Sequence, residues 1–175
     1  MLKNDSKTRN RVCIFLLLFS THLQSNNNVL LHRNAKKSGV EFLVGFETEF
    51  ILLKNANSVE PVNRHGWSIA QGFASGTTEA RVLEEIADAL ALSDVEVQQY
   101  HSEAAPGQYE IVTGPLPPLQ AADALIHTRE TIYNIASKHG LRATLAPRVF
   151  LNSCTSISFK SRVLIVSIYS FSPFP

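Results

Sequence analysis

Residues 102–118 read SEAAPGQYEIVTGPLPP, and the turn inside this stretch decides the architecture. Ala104, Ala105, Pro106 and Gly107 form a compact breaker, since proline presets one backbone angle and glycine accepts conformations that other residues avoid. The residues before it, VEVQQYHSE (95–103), and after it, QYEIVTG (108–114), alternate apolar and polar. Alternation on both sides of a short turn predicts an antiparallel hairpin. Glu103 lies at the end of the first strand and Glu110 near the start of the second, so the hairpin brings two like charges towards one point. Such charges repel unless a cation lies between them.

A second acidic pair lies upstream, in VEFLVGFETEFILL (40–53). Its composition predicts a strand, or two strands with a kink at Gly45. Residues i and i+2 of a strand share a face, so Glu47 and Glu49 point one way and Phe46, Thr48 and Phe50 the other. Gln108 and Glu110 pair up on one face in the same manner. Carboxylates among such apolar neighbours are costly unless they are solvated, share a proton or hold cations. Taken singly, each of these glutamates reads as an exposed strand residue. Taken as two pairs on neighbouring strands, Glu47, Glu49, Glu103 and Glu110 read as oxygen ligands for a hard divalent ion, Mg²⁺ or Mn²⁺. His101, two residues before Glu103, is within reach of a metal but is expected to orient its neighbours or face solvent. His127 and His139 read as surface residues, and His65 has no evident partner.

Two helices complete the pattern. TTEARVLEEIADALALSD (77–94) is a helix with Thr77 or Thr78 as its cap and an apolar stripe of Val82, Ile86, Ala89 and Leu90. PLPPLQAADALIHTRETIYNIASKHG (115–140) is a longer one, opened by proline and closed by Gly140. Its expected stripe is Leu119, Ala122, Leu125, Ile126, Ile132 and Ala136. A short helix is expected within 29–39, a long loop over 54–76 and a further strand in LRATLAP (141–147). The fold class is therefore α+β, a mainly antiparallel sheet carrying the glutamates with helices packed on it.

The chain has 175 residues, 45% of them apolar, and a net charge of +1. That supports a folded core in one domain or part of one. The near balance of charge excludes a sequence-independent nucleic-acid binder, which needs a basic excess. Cys13 and Cys154 have no metal-type spacing and read as reduced thiols in a cytoplasmic protein. Residues 12–19, VCIFLLLF, follow a basic N-terminus and look superficially like a secretory signal. The run is shorter than the about 20 apolar residues that cross a bilayer. No phosphate loop of the G-x-x-x-x-G-K type and no G-x-S-x-G elbow is present.

VGFETEFILL, EAAPGQYEI and HGLRATLAP, in this order, resemble the catalytic domain of glutamine synthetases. The likeness is strongest to a fungal branch in which a glutamine-synthetase-like half is fused to an amidohydrolase-like half, and it covers about residues 29–150. The resemblance implies an ATP-dependent ligase that phosphorylates the γ-carboxylate of glutamate and lets ammonia displace the phosphate. By motif, Glu49, Glu103 and Glu110 would hold one divalent ion near the amino acid, and Glu47 would help hold a second near the nucleotide. Gln98 falls where many relatives have a nucleotide-contacting glutamate. Family members assemble into rings that share active sites, with a glutamate-like acid, ammonia or an amine, and ATP as substrates.

The chain also departs from that family. A Gly-Ser-x-x-His segment is expected soon after RATLAP, and RVFLNSCTSISFK (148–160) stands there instead. The expected organisation is a non-homologous or vestigial segment over 1–28, the first half of a catalytic domain over 29–150, and an aberrant tail over 151–175. A ligase inactive on its own is the expectation that follows. The alternative is a non-catalytic, metal-binding or interacting remnant of the family. SRVLIVSIYSF (161–171) reads either as a strand or as adhesive sequence without a natural partner.

Overall fold

The computed structural model describes residues 34, 37, 40–55, 57, 59–64, 74–146, 149 and 162–170. Strand β1, Val40–Leu53, runs through the middle of the sheet. It is a single strand, so Gly45 does not divide it. Its irregularity is a register shift between Leu43 and Val44 against a neighbour. On one edge β1 pairs antiparallel with β3, Gln108–Thr113, which pairs in turn with β2, Val97–Ser102. On the other edge it pairs with β4, Arg142–Thr144, and with β5, Arg162–Ser170. Within the ambiguous segment 161–171, the backbone of Arg162–Ser170 is thus a strand, laid against the N-terminal half of β1.

Helix α1, Thr78–Leu92, is capped by Thr77, whose side chain accepts the Ala80 N–H at 3.3 Å. It ends without glycine: Asp94 takes the left-handed conformation at φ 58°, which aspartate tolerates better than most residues. Helix α2, Pro118–Lys138, opens on proline and closes at Gly140, whose φ of 71° suits glycine.

Both helices cover the face of the sheet that carries Phe50, Leu52, Tyr109 and Ile111. Val82, Leu83, Ile86 and Leu90 of α1 and Ile132, Ile135 and Ala136 of α2 close the core from the other side. The buried face of α2 runs through Ala121, Ala124, Thr128, Thr131 and Ile135. Of the stripe expected from the sequence, Ile132 and Ala136 are fully buried and Leu125 packs against Val44, Phe46 and Ala121, whereas Leu119 and Ile126 are more than 60% exposed. Small residues face the sheet because they let the helix lie close to β1. The larger apolar residues Leu119, Ile126 and Tyr133, spaced by seven, point outward.

The opposite face of the sheet is the one that carries the glutamates. The helix expected within 29–39 lies outside the described residues except for Asn34 and Lys37, which are helical. Cys13, Cys154, His65 and the apolar run 12–19 also lie outside them. No helix among the described residues is long and apolar enough to cross a membrane.

Candidate metal centre

Pairing register places the acidic residues. In β1 and β3, Glu49 lies directly opposite Glu110 and Glu47 opposite Val112. In β2 and β3, His101 lies directly opposite Glu110. Directly opposed residues of an antiparallel pair project to the same face. Glu49, Glu110 and His101 therefore form a row across three strands. Glu103 joins from the turn just beyond β2.

One ligand atom each from His101, Glu103 and Glu110 lies within 4.8 Å of the others. The His101 Nε2 is 3.2 Å from a Glu110 carboxylate oxygen, and its Nδ1 is 3.7 Å from one of Glu103. The same Nδ1 is 3.2 Å from the Ser102 carbonyl oxygen. Glu49 is tied in through Gln108, whose side-chain amide donates to it at 2.9 Å. Glu47 is half-buried on the same face. The sheet thus gathers all four predicted glutamates on one face, two of them, Glu103 and Glu110, in direct reach of His101. Gln98 is different. It is the extra residue of a bulge between Val97 and Gln99, is exposed, and takes no part in the hydrogen bonds that hold the cluster.

Glu110 bears the cost of this crowding. Its side chain is 7% exposed. Burial, followed by the negative charge of Glu47, pushes its carboxyl up to about 7, with Glu103 and Glu49 adding to the rise and only His101 opposing it. Three further carboxylates and one imidazole around a buried carboxylate that resists ionisation fit a hard divalent cation, which would supply the missing positive charge.

His101 is the member that sequence reasoning placed as an orienting or solvent-facing residue. Its signal was its position two residues from Glu103 on an alternating strand, and only the pairing with Glu110 turned that into a contact. His139, expected at the surface, is partly buried and bonded to Glu85 at 2.7 Å, with Lys138 on the same carboxylate. Those two partners hold Glu85 below the usual carboxylate range.

Residues 29–158 match the family model described as glutamine synthetase, catalytic domain. The chain belongs to this family. It is 37% identical over 150 residues to "Protein fluG" of Emericella nidulans, a match that takes in 79% of this chain and 16% of that protein. It is 36% identical over 134 residues to a glutamine synthetase of Methanocaldococcus jannaschii, covering 73% of this chain and 28% of the relative. Among solved structures, one titled "GmaS/ADP complex-Conformation 1" superposes with a TM-score of 0.60 at 22% identity, over 70% of this chain and 29% of that one. That likeness shows the fold. The chain therefore spans less than a third of the length of these relatives.

Proposed function

We propose that this chain supplies the cation-binding strands of a glutamine-synthetase-type ligase, in which ATP activates a glutamate-like carboxylate and ammonia or an amine takes the phosphate's place. The observation that carries the reading is the row of Glu49, Glu110 and His101 across three paired strands. Glu49, Glu103 and Glu110, with His101 in reach, would hold one Mg²⁺ or Mn²⁺, and Glu47 would serve a second on the nucleotide side. The chemistry such cations supply is neutralisation of phosphate and leaving-group oxygens. The chain's own residues do the positioning. Gln108 fixes the orientation of Glu49, and His101 stands within reach of both Glu103 and Glu110. Gln98, exposed at its bulge, is the proposed nucleotide contact. A cytoplasmic location and assembly with further copies belong to the same reading.

The test is Mn²⁺ uptake by isothermal titration, followed by ATP- and Mg²⁺-dependent formation of γ-glutamyl hydroxamate. Uptake lost in a Glu49→Ala/Glu103→Ala variant, together with hydroxamate formation, supports the ligase. Uptake without turnover supports a cation-binding unit that needs the rest of a catalytic domain to react. Absence of uptake defeats both.

A further inference from the structure

We infer that Asn63 is a positioning residue for the carboxylate cluster, locking the 104–107 turn so that Glu103 and Gln108 keep their places. What the positioning serves rests on the proposed cation site. The geometry does not. The Asn63 side-chain nitrogen donates to the Tyr109 hydroxyl at 2.7 Å and to the Glu79 carboxylate at 3.3 Å. Its side-chain oxygen accepts the Gly107 N–H at 3.2 Å. One partly buried amide therefore joins strand β3, the first turn of α1 and the hairpin turn.

Gly107 has little freedom to move. Its φ is 67°, and a Cβ there would meet the Leu52 carbonyl oxygen at 2.8 Å and the Pro61 Cβ at 3.0 Å. Its own carbonyl accepts the Leu52 N–H at 2.8 Å, and the Val62 N–H bonds back to the Leu52 carbonyl at 3.1 Å. The turn is clamped between β1 and the segment 59–64, and Asn63 closes the clamp. From Gly107 the restraint passes to Gln108. The Gln108 side chain accepts the Ala105 N–H and donates to Glu49, both at 2.9 Å. The Gln108 carbonyl accepts the Glu103 N–H at 2.8 Å. Asn63 touches none of the cluster's carboxylates, yet two hydrogen bonds and the peptide link between Gly107 and Gln108 lead from it to Glu49. Residues that orient ligands from behind typically change metal affinity by about 10- to 100-fold when removed.

The experiment uses the full chain with Mn²⁺ as the only probe, in the wild type, Asn63→Ala, Asn63→Asp and Ile132→Val. Asn63→Asp keeps an acceptor for Gly107 but loses both donors. Ile132→Val lowers stability far from the turn. Both Asn63 variants are expected to weaken Mn²⁺ binding by about tenfold or more, while Ile132→Val leaves it within about twofold. In parallel, metal-free ¹H–¹⁵N spectra read the Gln108 side-chain amide and the exchange rate of the Gly107 amide. Asn63→Ala is expected to shift the first and to speed the second about tenfold or more. Unchanged Gln108 and Gly107 signals in Asn63→Ala overturn the inference, as does unchanged Mn²⁺ affinity. If the wild type itself takes up no Mn²⁺, the cation reading falls and the metal-free spectra alone decide the positioning role. If the Asn63 variants do not fold, Tyr109→Phe, which removes only the anchoring hydroxyl, is read by the same two signals with the same outcomes.

Discussion

Glu49 and Glu110 are directly opposed residues of β1 and β3, two acidic side chains on one face of adjacent strands. Like charges so placed destabilise a sheet. The chain retains them and buries one, so the pairing costs stability that a function must justify. A cation converts this repulsion into coordination.

Removing one charge should therefore help the metal-free fold. Glu110→Gln is expected to raise stability in EDTA by about 1 kcal/mol or more, since a buried carboxylate is replaced by a neutral amide of similar shape. The same variant should lose at least about tenfold in Mn²⁺ affinity. Thermal denaturation with and without Mn²⁺ reads both effects. A variant less stable than the wild type in EDTA would show that the cluster is not under electrostatic stress.

The pH dependence of the metal-free chain has a definite sign. The Glu110 carboxyl titrates near 7 in the fold, against about 4.5 when exposed. Between those values the native state holds a proton that the unfolded chain has lost, so stability falls as pH rises through this window. The contribution is fully present below about 4.5 and gone above about 7. Urea denaturation at pH 5, 6 and 7.5 in EDTA measures the slope. Saturating Mg²⁺ should flatten it, because a bound cation replaces the proton.

His101→Ala removes the one neighbour that lowers the Glu110 carboxyl. The same window should then extend to higher pH, observed as an upward shift in the midpoint of the Glu110 ¹³C carboxyl titration. A midpoint that stays put or falls would remove His101 from the cluster's electrostatics.

Gly107→Ala tests the link between turn and site. The positive φ costs about 1–2 kcal/mol for any residue with a Cβ, and the close approach to the Leu52 carbonyl adds to it. Stability should fall by more than that strain alone, and Mn²⁺ affinity should fall with it. By contrast Leu83→Ala, in the core between the helices and the sheet, should cost about 2–5 kcal/mol while leaving Mn²⁺ affinity per folded molecule unchanged.

Some of this is legible in the sequence. The Pro-Gly turn specified the hairpin, alternation specified which side chains share a face, and Thr77 marked the start of α1. These are local properties, carried by a few adjacent residues and by backbone sterics. The stripe on α2 was right in Ile132 and Ala136 and wrong in Leu119 and Ile126, for a related reason. Periodicity reports that a helix has apolar positions, whereas close approach to β1 selected the alanines and threonines and left Leu119 and Ile126 outside.

By itself, the sequence determined the elements, the family and the four glutamates, because motif spacing and side-chain alternation belong to the chain. Only the tertiary structure decided that Glu49, Glu110 and His101 meet in one row, and that Asn63 holds the turn beside them. Strand register couples residues some fifty to sixty positions apart, and it is set by the packing of whole elements, which no short stretch of sequence encodes.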